Sequence, residues 1–274
     1  MNATLQEKLD SYDALIVDLW GVVHDGSKLY PGAAESLALL HKMNKPVLFL
    51  SNAPRVAEKA RKNLDRLGIP PAHYLDVVTS GQVAYDTLAK ETASRRYYYL
   101  GPGKDEDILS GLDQFTSVPD AGMADFILCT GYEEDGQPHE EIIPLLAQLL
   151  HLPMFCVNPD IEVVKQDGTQ WLCAGAVAAE FSKMGGRVAY VGKPFPEVYT
   201  ACKNILGPNQ RILAVGDNPV TDIKGANDAG IDSVLITGGV LKSRYGEDIS
   251  ENDARQICGV AGVTPTYVLP GFVL

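Results

Sequence analysis

The sequence predicts an α/β fold: a doubly wound parallel sheet with a second α/β domain inserted into it. Three observations carry this. Short apolar runs alternate with amphipathic stretches along the whole chain, as parallel strands alternate with crossover helices. The polar and unusual residues concentrate in two regions, 18–55 and 192–222, while the stretch between about 80 and 185 has strands and helices of its own but few chemically conspicuous groups. And the first apolar run, Ala14–Val17, is closed by a carboxylate, Asp18, with Gly21 close behind. That is where a buried strand leaves a sheet, on the carboxyl edge that open α/β folds use for ligands.

Element by element, strands are expected at Ala14–Val17, Val47–Leu50, Tyr97–Leu100, Phe126–Thr130, Met154–Val157, Ala189–Val191, Ile212–Val215 and Ser233–Ile236. Each is short, apolar and bounded by turn residues or charges. Helices are expected at Ala33–Met43, Val56–Leu67, Gln82–Glu91, Glu140–Leu150, Ala176–Met184, Glu197–Leu206 and Asp222–Ala229. Pro54 and Pro196 stand near helix starts, where a missing N–H does no harm, and Gly68 and Gly207 follow helices as left-handed caps do. If the central stretch is an insertion, residues 1–79 and 186–274 form the outer domain and 80–185 the inserted one. The two halves of the outer domain then meet at one site, an arrangement that close-lying chain ends tolerate.

The composition excludes several function classes. A chain of 274 residues with net charge −12 is poorly suited to nucleic acid or to anionic membranes, which attract basic surfaces. With 46% hydrophobic and 21% charged residues it is ordinary for a globular protein. Its five cysteines, Cys129, Cys156, Cys173, Cys202 and Cys258, are scattered and odd in number, as reduced core thiols are. The polar start, Met1–Asp13, does not resemble a signal peptide, and no uncharged stretch approaches membrane-spanning length. The expectation is a soluble cytoplasmic protein. An anionic substrate needs a locally positive site in so acidic a chain.

Four segments supply candidate groups, and each has a plain structural explanation when taken alone. Asp18 is a potential nucleophile, or a buried ion-pair partner. In Ser51-Asn52-Ala53-Pro54 the hydroxyl and following N–H groups suit an anion, though Ser and Asn also cap helices. In Gly192-Lys193-Pro194 a lysine follows a strand and is poised to reach a phosphate, although most lysines are simply solvated. In Gly216-Asp217-Asn218-Pro219-Val220-Thr221-Asp222 two acids flank a strand-to-helix turn, as hard oxygen ligands for Mg²⁺ do, or as a polar turn does. Together the four fall at strand ends and provide carboxylates, a hydroxyl and an amine. Phosphoryl transfer requires that set: a nucleophile, a cation and fixed positive charge around the equatorial oxygens.

Taken in order, Asp18 with Gly21, Ser51, Lys193 and Gly216-Asp217…Asp222 resemble the four motifs of the haloacid dehalogenase superfamily. Thr79-Ser80-Gly81, Tyr98-Tyr99-Leu100-Gly101, Asn158-Pro159-Asp160, Gly175, Gly192-Lys193-Pro194, Gly225-Ala226 and Ala229-Gly230 extend the resemblance to class IIA, the 4-nitrophenylphosphatase and NagD-like group. The resemblance implies a Rossmann-like doubly wound core with an inserted α/β cap domain. It implies a phosphatase of a small phosphorylated metabolite such as a sugar phosphate, in which Asp18 forms an aspartyl-phosphate. It implies Mg²⁺ held by Asp18, Asp217 and the backbone carbonyl of Trp20, with Asp222 acting through metal-bound water or by positioning Lys193. Ser51, Asn52 and Lys193 become phosphate ligands, and Asn158 and Asp160 become cap residues near the substrate or parts of a turn. Relatives of this class often pair through their caps, so a homodimer is an expectation.

One position departs from the pattern. Phosphatases of this superfamily carry a second Asp where this chain has Trp20; it protonates the leaving oxygen and then activates water. An indole N–H has no usable basicity, and general acid–base help is worth about 10² to 10⁴ in rate. The expectation is a slow or selective phosphatase that favours leaving groups needing no proton. Asp25 or His24, just beyond the glycine turn, is positioned to replace the lost group; both are otherwise ordinary loop residues. Two further readings remain. Phosphonate or haloacid hydrolysis is compatible with the missing acid, but halide displacement needs no metal, whereas both acids of the fourth motif are present. A phosphometabolite-binding protein without turnover is compatible with Trp20, but not readily with an intact Asp18.

Overall fold

The structure is a computed structural model and describes residues 5–246 and 249–274. In chain order the strands are β1 (Ala14–Val17), β2 (Val47–Ser51), β3 (Asp76–Thr79), β4 (Arg95–Leu100), β5 (Phe115–Ser117), β6 (Phe126–Cys129) and β7 (Met154–Cys156). They continue with β8 (Glu162–Val164), β9 (Gln170–Leu172), β10 (Val188–Tyr190), β11 (Ile212–Gly216), β12 (Asp232–Ile236) and β13 (Tyr267–Leu269). The helices are α1 (Leu5–Lys8), α2 (Ala33–Lys42), α3 (Ala57–Arg66), α4 (Ser80–Leu88), α5 (His139–Leu149) and α6 (Ala174–Lys183). After them come α7 (Pro196–Leu206), α8 (Lys224–Asp228), α9 (Val240–Tyr245) and α10 (Glu251–Val260).

Six strands form the first sheet in the order β13-β12-β11-β1-β2-β3, every pair parallel. The chain winds outward from β1 in one direction through β2 and β3, then returns to lay β11, β12 and β13 on the other side. The gap between β1 and β11 is thus the topological switch point, where α/β sheets bind ligands. The all-apolar β1 is explained by its place: all four of its residues are buried, as a central parallel strand covered on both faces requires. Leu15 and Val17 join one core with Leu37 and Leu40 of α2 and Leu64 of α3. Ile16 faces the opposite core with Val198, Tyr199 and Cys202 of α7. Each such aliphatic contributes roughly 1.5–3 kcal/mol by leaving water.

The second sheet, β10-β7-β6-β4-β5, is also parallel throughout. One face packs Ile127, Met154 and Cys156 against Ile142, Leu146 and Leu149 of α5 and Val177 and Phe181 of α6. From the other, Tyr97, Phe126 and Leu128 share a core with Val83, Ala84 and Leu88 of α4. The α/β, doubly wound expectation therefore holds. The expected start of the returning outer half at residue 186 does not match the strand pairing: Val188–Tyr190 is hydrogen-bonded to β7 in the second sheet. The expected helix Asp222–Ala229 begins earlier and in two pieces, a π-turn over Pro219–Ile223 followed by α8. Among the described residues no helix is long and apolar enough to cross a membrane.

Several elements lay outside the sequence-based expectation. β3, β5 and β13 are only three or four residues long, too short to show periodicity. The antiparallel hairpin β8–β9 lies outside that expectation as well. α10 carried a readable start in Ser250-Glu251-Asn252-Asp253: Ser250 Oγ accepts from Asp253 N while Asp253 reaches back to Ser250, a reciprocal cap.

Candidate active site

The register of the first sheet assembles the site. Val17 pairs with Val215 on one side and with Phe49 on the other, so Asp18, Ser51 and Asp217 emerge together at the carboxyl edge. Gly21 carries φ +87°, a conformation that suits glycine, and a Cβ there would collide with the Asp217 carboxylate. The turn after Asp18 can therefore close against Asp217 only because residue 21 has no side chain.

Lys193 is the hub. Its Nζ donates to Asp18 Oδ1 at 2.5 Å and to Asp222 Oδ1 at 2.7 Å, and all three side chains are buried. Asp222 Oδ2 accepts from Asn218 N at 3.1 Å, and Asp217 Oδ2 from Val240 N at 2.7 Å at the start of α9. Burial opposes the charge on Lys193, but Asp18 and Asp222 outweigh it and raise its pKa well above the ordinary lysine value. Burial pushes the Asp18 carboxyl well above the usual carboxylate range; Lys193 opposes this, and Asp222 and Asp217 reinforce it. Burial, then Asp222, pushes Asp217 up to about 7.

The carboxylates of Asp18, Asp217 and Asp222 lie within 4.8 Å of one another, with a single lysine among them. Three buried acids facing one cation leave a deficit of positive charge, and the donors are hard oxygens. This set fits a divalent ion such as Mg²⁺, which takes one or two carboxylates and keeps several waters.

Ser51 is buried, and its Oγ accepts from Ala53 N at 3.2 Å, which leaves the hydroxyl proton available to an anion. Asn52 is placed differently from the expectation that it binds phosphate. Its Nδ2 donates to Asp160 Oδ1 at 3.0 Å and to Lys193 O at 3.2 Å, and its Oδ1 accepts from Lys193 N at 2.7 Å and Ser80 Oγ at 3.1 Å. With its donors and acceptor engaged, Asn52 joins three chain segments and fixes the Lys193 backbone. Asn52→Ala strips these partners in a buried setting and is expected to cost about 2–4 kcal/mol, measurable as a shifted denaturant midpoint. Asn158 and Asp160 both line the cleft, but Asn158 Oδ1 accepts from Asp160 N at 3.0 Å, closing a local turn, and Asp160 is the inserted unit's tie to Asn52.

The loop after Asp18 holds the remaining candidates. Asp25 is buried and its carboxylate receives four hydrogen bonds: Ser27 N, Ser27 Oγ and Lys28 N on Oδ1, and Gln166 N on Oδ2. Burial opposes its charge, yet the hydrogen bonds from Lys28, Ser27 and Gln166 hold its pKa down to about 2. A carboxylate so saturated is ill suited to hand over a proton, contrary to the expectation that it replaces the missing acid. His24 is buried too, and its Nδ1 accepts from Gly26 N at 3.0 Å. Burial lowers its pKa to about 4, so it is neutral near pH 7. The unfolded chain, with the ordinary value of 6.5, binds the proton first. Stability is therefore present above pH 6.5 and falls as the pH drops toward 4. His24→Asn, whose Oδ1 can still accept from Gly26, should make the fall in melting temperature across that interval shallower.

Trp20 does not simply fill the position of an acid. Its Nε1 donates to Val164 O of β8 at 2.8 Å, across 144 residues of sequence. Its ring lies 6.5 Å from Trp171 of β9 and 6.2 Å from His24, centroid to centroid. The hairpin is tied down elsewhere as well. Gln166 Nε2 donates to Leu29 O at 3.2 Å, Gln170 Nε2 to Ser243 Oγ at 2.9 Å, and Arg244 Nε to Glu162 Oε1 at 2.7 Å. The hairpin and loops from both sheets line a cleft of about 610 Å³, with Asp18, Ser51, Lys193, Asp217 and Asp222 in its lining. Trp171 and Lys165 also line it, and neither is among the residues expected at the site. The available signal was Asp167-Gly168, a turn pair between two short alternating runs.

Fold and site together define an α/β protein of two parallel sheets with a buried carboxylate–lysine centre. The haloacid dehalogenase-like hydrolase model matches residues 15–114, and a HAD-hydrolase-like model matches residues 190–271. A haloacid dehalogenase-like hydrolase from Brucella suis 1330 is 32% identical; its solved structure superposes with a TM-score of 0.85, with 100% of each chain covered. The chain belongs to the haloacid dehalogenase-like hydrolase family and is a hydrolase. The structure of 4-nitrophenylphosphatase from Thermotoga maritima is 25% identical, with a TM-score of 0.71 and 96% of each chain covered. An acid sugar phosphatase of Staphylococcus saprophyticus is 26% identical over 236 residues, 85% of this chain and 89% of that protein.

Proposed function

We propose that the protein is a Mg²⁺-dependent, class IIA phosphomonoesterase of a small phosphorylated metabolite such as a sugar phosphate, working in the cytoplasm. The observation that carries this is the centre itself: Asp18 held by Lys193 at 2.5 Å, beside Asp217 and Asp222, at the foot of the cleft. The names of the relatives, an acid sugar phosphatase and a 4-nitrophenylphosphatase, agree with it.

Asp18 attacks phosphorus with one carboxylate oxygen; the bond to the leaving oxygen breaks and its electron pair departs with that oxygen, leaving an aspartyl-phosphate that water then cleaves. Lys193 and the Ser51 hydroxyl bind the phosphoryl oxygens. Asp18, Asp217 and the Trp20 carbonyl would hold Mg²⁺, with Asp222 acting through water, and the ion when bound supplies positive charge against the phosphoryl oxygens. Trp20 donates its only N–H to Val164, and Asp25 is a holding group for the loop and the hairpin, so neither serves the leaving oxygen as a proton donor. Leaving groups stable as anions are the ones this site handles best.

The test is a panel of an aryl phosphate, sugar phosphates, a phosphonate and a haloacid, with Mg²⁺ or with EDTA. Turnover of the aryl phosphate that EDTA abolishes is the expected result. The engagement of Trp20 with Val164 also favours a second reading, a phosphometabolite-binding protein without turnover. Metal-dependent phosphate binding with no hydrolysis of any phosphate would establish that instead.

A further inference from the structure

Lys165 stands apart from the other cations of the cleft. Arg55 is paired with Asp105 at 3.2 Å, Lys104 with Asp135 at 2.8 Å, and Lys59 with Asp107 at 2.5 Å. Arg66 is spent on Asn63 Oδ1 and Gly26 O. Lys165 instead carries its ammonium 3.6 Å above the centroid of the Trp171 ring. A cation on an aromatic face is held in place without being neutralised. Both residues are half-buried and line the same cleft as Asp18.

Their placement is not left to a free loop. Lys165 is the first residue of the turn joining β8 to β9, with Lys165 N donating to Thr169 O at 2.9 Å. The residue before it, Val164, accepts the Trp20 indole, and the residue after it, Gln166, donates to Asp25 and to Leu29 O. Lys165 is thus bracketed by contacts to the loop that follows Asp18. In a protein of net charge −12, a cation mounted on an aromatic face in the same cleft as Asp18, with no carboxylate paired to it by a direct salt bridge among the described residues, is a recognition group for a second negative charge.

We propose that Lys165, mounted on Trp171, is a specificity-determining residue that selects phosphomonoesters whose leaving group carries a further anion such as a carboxylate. The inference rests on the phosphatase reading and narrows its substrate class. Trp20 acts here as a positioning residue, because it sets the hairpin that presents Lys165.

The chain has only two tryptophans, Trp20 and Trp171, and both line the cleft, so intrinsic fluorescence reports occupancy directly. The probes are pairs differing only by CH₂OH against carboxylate: glycerol 3-phosphate with 3-phosphoglycerate, and glucitol 6-phosphate with 6-phosphogluconate. Binding is titrated in Asp18→Asn with Mg²⁺, and kcat/KM is measured in the parent. The carboxylated member of at least one pair is expected to be preferred about tenfold. Lys165→Gln should bring that ratio close to one and Lys165→Arg should keep it. Equal treatment of both members by the parent, or a Lys165→Gln protein that weakens both alike, overturns the subsite and leaves the phosphatase reading standing. If no phosphate is bound or turned over, the phosphatase reading falls and the subsite falls with it.

Discussion

Asp18→Asn protein is expected to fold, to melt at or above the parent temperature, and to lose at least about 10³-fold of its turnover of 4-nitrophenyl phosphate. The two effects have one cause. Asp18 is a buried carboxyl pressed against Asp217 and Asp222, and burial together with those neighbours resists its charge. The carboxamide has the same shape, and its oxygen can still accept from Lys193, so the hydrogen bond at 2.5 Å has a successor. What disappears is one negative charge from a cluster with too many. Relief of that repulsion stabilises the fold, while a neutral amide oxygen cannot serve as the nucleophile. Thermal melts and initial rates on the same preparation check both halves. Retention of more than a tenth of the parent rate would remove Asp18 from the proposed chemistry.

The same cluster shows why much of the centre could be read from sequence and some of its surroundings could not. Asp18, Ser51 and Asp217 stand at the ends of apolar strands of the first sheet, and a parallel sheet delivers such residues to one edge; Lys193 follows a strand of the second sheet, and Asp222 lies in the turn just after β11. Strand pairing then leaves little freedom, and the structure brings all five together. Asn52 departs from the expectation because adjacency to Ser51 says nothing about where an amide finds its partners. Those partners, Ser80, Asp160 and Lys193, are 28, 108 and 141 residues away. Asp25 departs for a related reason: three of its four donors are local, but only the backbone course of Ser27 and Lys28 turns them inward. The hairpin was invisible because each strand has three residues, too few for an alternation to stand out, and its stability comes from contacts with the first domain. Val188–Tyr190 illustrates the same limit. Its apolar pattern marks a strand, expected at Ala189–Val191 and found one residue earlier, but only pairing with β7 shows which sheet owns it.

Trp20→Asp should change which substrates are accepted more than how much enzyme is active. The new carboxyl would enter a region that already holds three buried acids and one lysine, so it would retain its proton to higher pH than an ordinary aspartate. A protonated carboxyl beside the leaving oxygen is what the parent lacks, and such help is worth about 10² to 10⁴. Against this stands the loss of the Trp20 bond to Val164, about 1 kcal/mol, and of the ring beside Trp171. The hairpin then closes less firmly and KM rises. The expected outcome is a 10- to 100-fold gain in kcat, roughly, for alkyl phosphates, little gain for 4-nitrophenyl phosphate, and a higher KM for both. Trp20→Phe separates the two roles, since it removes the N–H without adding an acid. Its dependence of log kcat on leaving-group pKa should stay as steep as in the parent, while hydrogen exchange at residues 162–172 becomes faster. In Trp20→Asp that dependence should flatten. If it stays steep while exchange in the hairpin accelerates, the missing acid is not what limits the parent, and the selectivity of the site must be traced to how the hairpin closes over it.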